Sequence, residues 1–231
     1  MALISSAFAQ QFKSLSPDQT GITFRNDLPE ETRTFNYFAF NYIYNGGGVA
    51  VLDYDRDGKK DLFVTGNKVP CRLYRQTGPL KFTDVTEAAG ITDEPDDWTT
   101  GVTVADVDAD GWYNWPGEFL PNLLYRNNGD GTFTEMAREL GLADSARTTH
   151  AVFFDYDRNG DLDLYTVNHP ARWDADSPMR ERFRATLPHH DSDHLFRIDG
   201  TGHFRDVTQE AGLKSWGFGR SVTCRDLNSD G

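Results

Sequence analysis

One aspartate-rich pattern, set between two apolar runs, constrains this chain more than any other feature. Residues 49–52 and 62–65 are β-type runs, and residues 53–61 between them read Asp-x-Asp-x-Asp-Gly-x-x-Asp. Gly58 at position 6 permits a sharp turn, so the side chains at positions 1, 3, 5 and 9 converge and the carbonyl of position 7 points inward. Oxygen ligands in this number suit Ca²⁺. The predicted ligands of this loop (loop one) are Asp53, Asp55, Asp57, Asp61 and the carbonyl of Lys59.

The residues around loop one decide which kind of calcium loop it is. An EF-hand requires Glu at position 12 and helices on both sides, whereas position 12 here is Val64. The flanking runs are rich in Val, Leu, Phe and Thr, which is typical of strands. The sequence therefore predicts a calcium loop at the tip of a β-hairpin.

The same loop recurs along the chain. Loop two spans residues 106–114, loop three spans residues 155–163, and a fourth copy starts at Asp226 and reaches Gly231 without its position 9, so no site is expected there. Loop two carries Asn at position 9, followed by Trp-Pro-Gly-Glu in place of an apolar exit strand, so we expect a distorted hairpin and a weaker site. The further predicted ligands are Asp106, Asp108, Asp110, Trp112 and Asn114 in loop two, and Asp155, Asp157, Asn159, Asp161 and Asp163 in loop three.

The charge of the chain follows from these loops. The formal net charge is −13, and the four loops hold four, three, four and two aspartates, 13 of the 36 acidic residues. This balance argues against binding to nucleic-acid phosphates or to anionic lipid. No apolar run is long enough to span a membrane.

A second motif follows each of the first three loops. It reads Leu, aromatic, Arg, a glycine-bearing turn, Phe, an acidic residue and a closing Gly-Ile or Gly-Leu, at residues 73–91, 124–142 and 195–213. Each unit is thus predicted to form four short antiparallel strands, one hairpin carrying the calcium loop and the other the glycine turn. Loop starts lie 53, 49 and 71 residues apart, and the long interval holds an insertion at residues 169–194. Tandem four-stranded units of this length predict an all-β, partial β-propeller.

These motifs together carry a resemblance to known families. The aspartate loops between β runs resemble the FG-GAP/VCBS repeats found in integrin α-subunit heads. The full combination, from Gly-Ile-Thr-Phe at residues 21–24 onward, is similar to the cartilage acidic protein (ASPIC/UnbV-associated) family. The resemblance implies an extracellular, calcium-binding propeller of seven or eight blades, of which residues 46–97, 98–145, 146–215 and a partial unit from 216 supply fewer than four. We therefore expect a fragment that lacks other blades and the family's C-terminal segment.

The remaining segments give weaker predictions. Residues 1–9 end in an Ala-x-Ala pattern that fits either a signal-peptide remnant or a frayed terminus, and residues 10–45 are predicted as a lead-in with a short strand at 21–24. Cys71 and Cys224 are interpreted as separate thiols rather than a pair. Trp98 and Trp216 are predicted to pack between blades, with sugar stacking as the alternative.

The predicted function is binding or adhesion toward a protein or glycan partner, without catalysis. The expected location is secreted, extracellular, cell-surface or periplasmic. No Gly-x-Ser-x-Gly elbow, phosphate loop or dinucleotide fingerprint occurs in the sequence. A polysaccharide-acting enzyme of the lyase or hydrolase type is the alternative. Convergence of the insertion with titratable residues of other blades in one concave pocket, as a carboxylate pair or a carboxylate with a histidine, would favour it. Pure scaffolding is a third possibility. The run from His189 to His194 could bind a transition metal, but a solvated surface loop is the favoured interpretation.

Overall fold

Each of the three complete repeats forms one four-stranded antiparallel sheet in the computed structural model. The structure describes residues 12–28, 46–92, 99–105, 112–115 (backbone), 122–169, 192–215, 217 and 219–225. Within these residues the only helix is the short α1 (Pro17–Thr20), and everything else regular is β-strand. The all-β prediction, with four antiparallel strands to each unit, is confirmed.

The strands follow one another in spatial order within each sheet. Sheet one contains β1 (Val49–Leu52), β2 (Asp61–Val64), β3 (Arg72–Gly78) and β4 (Lys81–Asp84). Sheet two contains β5 (Thr103–Ala105), β6 (Trp112–Trp115), β7 (Leu123–Asn127) and β8 (Phe133–Glu135). Sheet three contains β9 (Thr148–Phe154), β10 (Asp163–Asn168), β11 (His194–Ile198) and β12 (Phe204–Asp206). The aspartate loops join the first and second strands, and the glycine turns join the third and fourth.

The sheets pack face to face in chain order, because each sheet buries an apolar face against the next. One buried cluster joins sheet one to sheet two through Leu52, Phe63, Leu73, Tyr125 and Phe133. A second joins sheet two to sheet three through Leu124, Leu142, Leu164, Phe196 and Phe204. The first strands also adjoin, since β5 lies beside β1 on one side and β9 on the other. This arrangement is the local geometry of neighbouring propeller blades, with the first strands on the inner side.

A repeated turn links the end of one sheet to the outermost strand of the next. After sheet one, the carbonyl of Ala89 accepts a hydrogen bond from the Phe133 amide at 2.8 Å. After sheet two, the carbonyl of Leu140 accepts one from the Phe204 amide, also at 2.8 Å. In both places the next residue is a glycine with positive φ, Gly90 or Gly141.

The strand predicted at residues 21–24 does not form, which corrects the sequence-based interpretation. Instead Ser16 caps α1, and Gly21, with φ of +80°, ends it. Gly21 lies against the backbone of Phe82 on β4, the position that Gly141 takes against Phe204. The segment at 16–22 therefore repeats the turn that closes each sheet. Further along, Asn26 attaches the chain to sheet one through hydrogen bonds with Asn67 at 2.7 and 2.9 Å.

Several smaller predictions can be compared with the structure. Cys71 is buried, Cys224 is exposed, and neither forms a disulfide. No helix among the described residues is long and apolar enough to cross a bilayer. Trp98 and Trp216 lie outside the described residues, so their packing stays a prediction.

Candidate metal centres

Asp61 is the fixed point of loop one, because both of its carboxylate oxygens are held by backbone amides. Its side chain is 0% exposed at the start of β2. The Tyr54 amide donates to Oδ2 at 3.1 Å, and the Gln76 amide on β3 donates to Oδ1 at 2.8 Å. The carboxylate thus ties the loop to the neighbouring strand of its own sheet.

The turn of loop one brings the first aspartate back toward the last. Gly58 has φ of +84°, a conformation that favours glycine, and its amide donates to Asp53 Oδ2 at 3.0 Å. Carboxylate oxygens of Asp53, Asp55 and Asp61 all lie within 4.8 Å of one another. Asp53 Oδ1 is buried and accepts no hydrogen bond from the described residues. Clustered hard oxygens with one buried, unpaired acceptor fit a divalent cation such as Ca²⁺.

Loop three repeats the three backbone hydrogen bonds described for loop one, although Asp155 Oδ1, unlike Asp53 Oδ1, accepts a hydrogen bond from the Asn159 amide at 3.1 Å. The Tyr156 amide donates to Asp163 Oδ2 at 2.8 Å, and the Ile198 amide on β11 donates to Asp163 Oδ1 at 3.0 Å. The Gly160 amide donates to Asp155 Oδ2 at 2.9 Å. Oxygens of Asp155, Asp157 and Asp163 again lie within 4.8 Å of one another. The structure thus brings together positions 1, 3 and 9 in both loops.

Position 5 differs from the predicted geometry in loop one. Asp57 Oδ2 lies 2.6 Å from Lys59 Nζ and 3.3 Å from Arg75 Nη2, and Asp57 is not part of the oxygen cluster. Its hydrogen bonds to Lys59 lower the pKa of its carboxyl. Asn159 at position 5 of loop three accepts a hydrogen bond from the Asp161 amide at 2.7 Å. Ligation through Asp57, Asn159 and the carbonyls of Lys59 and Asp161 stays a prediction.

Burial shifts the pKa of the two buried aspartates at position 9. Desolvation raises the pKa of Asp61, opposed by its two backbone hydrogen bonds. The same balance raises the pKa of Asp163. In both cases the negative charges of the neighbouring loop aspartates add to the upward shift.

Loop two has fewer residues between its paired strand positions than loops one and three have. Leu52 pairs with Asp61 and Phe154 pairs with Asp163 across their hairpins, which leaves eight residues between the paired positions. In sheet two, Ala105 pairs with Trp112, which leaves six. Trp112 therefore takes the strand position of the buried aspartates, and Asn114 lies two residues further, opposite Thr103.

The rest of loop two is outside the described residues, as is loop four at 226–231. Asp106, Asp108 and Asp110 fall in this part of loop two, so all five loop-two ligands stay predictions. The exit strand that the sequence made doubtful does form, as β6, two residues earlier than in the other sheets.

Sequence reasoning missed the support that sheet two gives to loop one. Asn127 at the end of β7 donates through Nδ2 to the carbonyl of Tyr54 at 2.7 Å. The Tyr54 ring stacks on Phe133 with centroids 6.0 Å apart. The Asn at position 127, directly before the glycine turn, was the available sequence signal, but nothing in its spacing indicates a contact 73 residues away.

The histidine-rich run of the insertion is not a surface loop throughout. His194 begins β11, is 0% exposed, and its Nδ1 lies 2.5 Å from Asp144 Oδ2. Asp193 accepts hydrogen bonds from the Tyr165 hydroxyl at 3.0 Å and from the Ser215 hydroxyl. The surface-loop interpretation is therefore wrong for these two residues, because both join sheet three to its surroundings. Residues 170–191, with His189 and His190, lie outside the described residues.

Comparison with known proteins agrees with this geometry. The family model for the FG-GAP-like repeat matches residues 53–113 and 118–166, which include loops one and three and loop two up to its position 8. These two segments are FG-GAP-like repeats by this match. Cartilage acidic protein 1 of Mus musculus is 30% identical over 133 residues, 52% of this chain. The human protein is 29% identical over 133 residues, and that of Xenopus tropicalis 29% over 132 residues. The chain covers 20% of each relative.

Proposed function

We propose that this chain is an extracellular binding module whose FG-GAP-like repeats are stabilised by Ca²⁺. The observation that carries the proposal is the convergence of three aspartates in loop one and three in loop three through the same backbone hydrogen bonds. The non-catalytic repeat module fits both the family match and the relatives named cartilage acidic protein.

The role of the cation follows from electrostatics. Two carboxylates about 4 Å apart repel each other by ~1 kcal/mol even with the dielectric constant of water. Asp53, Asp55 and Asp61 would hold the ion in loop one, and Asp155, Asp157 and Asp163 would hold it in loop three. The bound ion supplies positive charge that offsets this repulsion. The two strands of each hairpin are then clamped at their tip.

The calcium concentration favours a location outside the cytoplasm. With Kd on the order of 10⁻⁴ M, as in extracellular modules, ~1 mM Ca²⁺ stabilises the fold by roughly 1.4 kcal/mol per site. At sub-micromolar concentrations the gain is close to zero. A module that depends on such loops would therefore be stable in the extracellular space, at the cell surface or in the periplasm.

The enzyme alternative has one specific observation to consider. A carboxylate and a histidine from different repeats do meet, as Asp144 and His194. His194 is fully buried, however, so no substrate reaches it. The pair therefore supports packing between sheets two and three rather than catalysis. The proposed partner is a protein or glycan, together with further blades of a longer parent protein.

The decisive experiment compares thermal stability with and without calcium. Asp157→Ala is the cleanest variant, since Asp157 contacts Arg197 only at 3.7 Å, whereas Asp55 is ion-paired with Arg75 at 2.6 Å. We expect Asp157→Ala to lower Tm by about 3–6 °C in ~1 mM Ca²⁺, the equivalent of one site, and to change Tm little in EGTA. Differential scanning fluorimetry of the full chain measures both.

The matched control is Asp130→Ala in the β7–β8 turn. Asp130 accepts hydrogen bonds from Thr132 and lies outside the metal loops, so its loss should be the same with and without calcium. An equal loss in both conditions for Asp157→Ala would contradict the metal role.

A further inference from the structure

The arginine of the repeated Leu-aromatic-Arg motif reaches the metal loop of its own sheet. Arg75 on β3 places Nε 2.6 Å from Asp55 Oδ2 and Nη2 3.3 Å from Asp57 Oδ2. The next residue, Gln76, donates its amide to Asp61. The guanidinium therefore sits against the same loop whose carboxylates cluster, and the nearby Asp55 raises the pKa of Arg75.

The distance between the motif arginine and the loop aspartates differs between loops one and three, although the two loops share three backbone hydrogen bonds. The equivalent arginine of sheet three, Arg197, lies 3.7 Å from Asp157 Oδ2. Position 7 adds to the difference, since loop one has Lys59, with Nζ 2.6 Å from Asp57, and loop three has the acidic Asp161. Both loops hold four aspartates, but loop one carries close positive charge, whereas loop three carries a more distant cation and an acid in place of the lysine at position 7.

We propose that Arg75 is a built-in counter-cation of loop one, which competes with the divalent ion for Asp55 and makes loop one the weaker calcium site. This inference rests on the proposed calcium role of the loops. Without the ion, the guanidinium offsets the repulsion among the loop aspartates, so loop one stays closed. In loop three, the bound ion is what offsets the repulsion among the aspartates.

The competition has a direct geometric cause. Asp55 Oδ2 forms an ion pair with Arg75, and Asp55 Oδ1 accepts a hydrogen bond from the Asp57 amide at 3.3 Å. Ligation by Asp55 therefore requires one of these contacts to weaken. A monovalent guanidinium within a few ångströms also repels a dication at the site, and this effect is stronger in a partly desolvated loop than in water.

The test measures calcium affinity after removal of the arginine charge. Isothermal titration with CaCl₂ compares the full chain carrying Asp157→Ala with the same chain carrying Arg75→Gln as well. Asp157→Ala weakens loop three, and loop two is the same in both chains, so the difference reports on loop one. We expect Arg75→Gln to tighten the loop-one Kd about tenfold, which corresponds to about 1.4 kcal/mol. The same variant should melt at a lower temperature in EGTA.

Three further variants separate charge from structure. Arg72→Gln removes the same charge from the same strand. Because Arg72 pairs with Asp84 outside the loop, the Kd of loop one for calcium should be unchanged in this variant. Arg75→Lys keeps the charge and should stay close to the parent in affinity. Arg75→Met keeps an aliphatic stem without charge and replaces Arg75→Gln if that variant folds poorly.

The outcomes distinguish this inference from the proposed function. If the unmodified chain binds calcium and Arg75→Gln leaves the loop-one Kd unchanged, the inference is wrong and the calcium role stands. If calcium binding appears only after Arg75→Gln, the competition is supported. If neither the unmodified chain nor the chain with Arg75→Gln alone binds calcium, both proposals are wrong.

Discussion

At the scale of single residues, the most constrained groups are the aspartates at position 9. Asp61 and Asp163 each accept two backbone hydrogen bonds, one from the loop and one from the third strand of the sheet. These bonds hold a carboxylate in a buried position, where loss of hydration costs free energy for the charged form. A cation at the loop would lower that cost, which makes these two residues the natural point of coupling between metal and fold.

This coupling gives a prediction for pH. The folded-state pKa of Asp61 and Asp163 lies above the unfolded value, so the folded chain binds protons more readily. Their ionised forms therefore reduce the stability of the metal-free fold above the folded pKa, and this penalty disappears below the unfolded pKa. Bound calcium requires the ionised forms. We expect the calcium-induced rise in Tm to shrink as pH falls through the raised pKa values.

The measurement is Tm with ~1 mM Ca²⁺ minus Tm in calcium-depleted buffer, between about pH 7 and about pH 4. Most of the decrease should occur above the ordinary aspartate pKa of about 3.9. A difference that persists unchanged down to that value would show that neither Asp61 nor Asp163 ligates the ion. Asp157→Ala, which removes one ligand of loop three, should show a smaller difference at every pH.

At the scale of the structural element, the closing turn of each sheet is the device that joins neighbours. Its glycine has positive φ, and where a next sheet follows, the turn contacts the backbone of the next outermost strand. Gly141 faces the Phe204 carbonyl, and a Cβ at Gly141 would lie 2.5 Å from that oxygen. Gly212, at the same place after sheet three, has φ of +70°, and no atom of the described residues lies within 4 Å of such a Cβ.

These two glycines provide a matched prediction. Gly212→Ala should cost about 1–2 kcal/mol, the strain of an L-residue in the left-handed region. Gly141→Ala carries the same strain and a clash with sheet three, so we expect it to cost at least about 1 kcal/mol more. Chemical denaturation of both variants measures the difference. Equal losses would show that the turn after sheet two does not contribute to the contact between the sheets.

Register explains why loop two departs from its neighbours. Six residues in place of eight between paired strand positions leave less chain for the turn. The buried acid that anchors the other two loops has no equivalent at that strand position, which Trp112 occupies. The two loops that share a hydrogen-bond pattern are thus one and three.

At the scale of the whole molecule, three sheets stack in sequence, and within the described part of the chain no further sheet covers the outer face of sheet one. Val49 and Val51 on β1 are 65% and 60% exposed, while Ala50 and Leu52, which alternate with them along the strand, are buried against sheet two. At the position of Val49, Val102 and Ala151 of the next two first strands pack against the preceding sheet; at the position of Val51, Phe153 does so, whereas Val104 is 39% exposed. The chain covers 20% of the relatives it matches, so an additional blade is the proposed occupant of this face.

An open blade face predicts association of the chain when it is produced alone. Exposed apolar residues on a strand edge favour contacts between copies. We expect concentration-dependent self-association in sedimentation velocity. Val51→Lys should reduce it with little change in Tm, because Val51 is mostly exposed. Leu80→Lys is the control, since Leu80 is also 60% exposed but lies in the β3–β4 turn. A monodisperse monomer, or equal effects of both variants, would contradict the prediction.

The sequence by itself determined the local structure of this protein. Alternating apolar runs, glycine turns and aspartate spacing act between residues close in the chain, so they indicated the four-stranded sheets and the convergence of positions 1, 3 and 9. They also indicated which hairpin of each sheet carries a loop. Spacing alone could not separate Asp57, which pairs with Lys59 and Arg75, from the clustered aspartates of loop one.

Only the tertiary structure decided what lies between the repeats. The Asn127 contact with Tyr54, the burial of His194 against Asp144 and the docking of Gly21 on Phe82 each join residues at least 50 positions apart. Such contacts depend on how one sheet faces the next, and that is set by the shape and burial of whole faces. No periodicity in the chain records it, which is why the repeats were predictable and their interfaces were not.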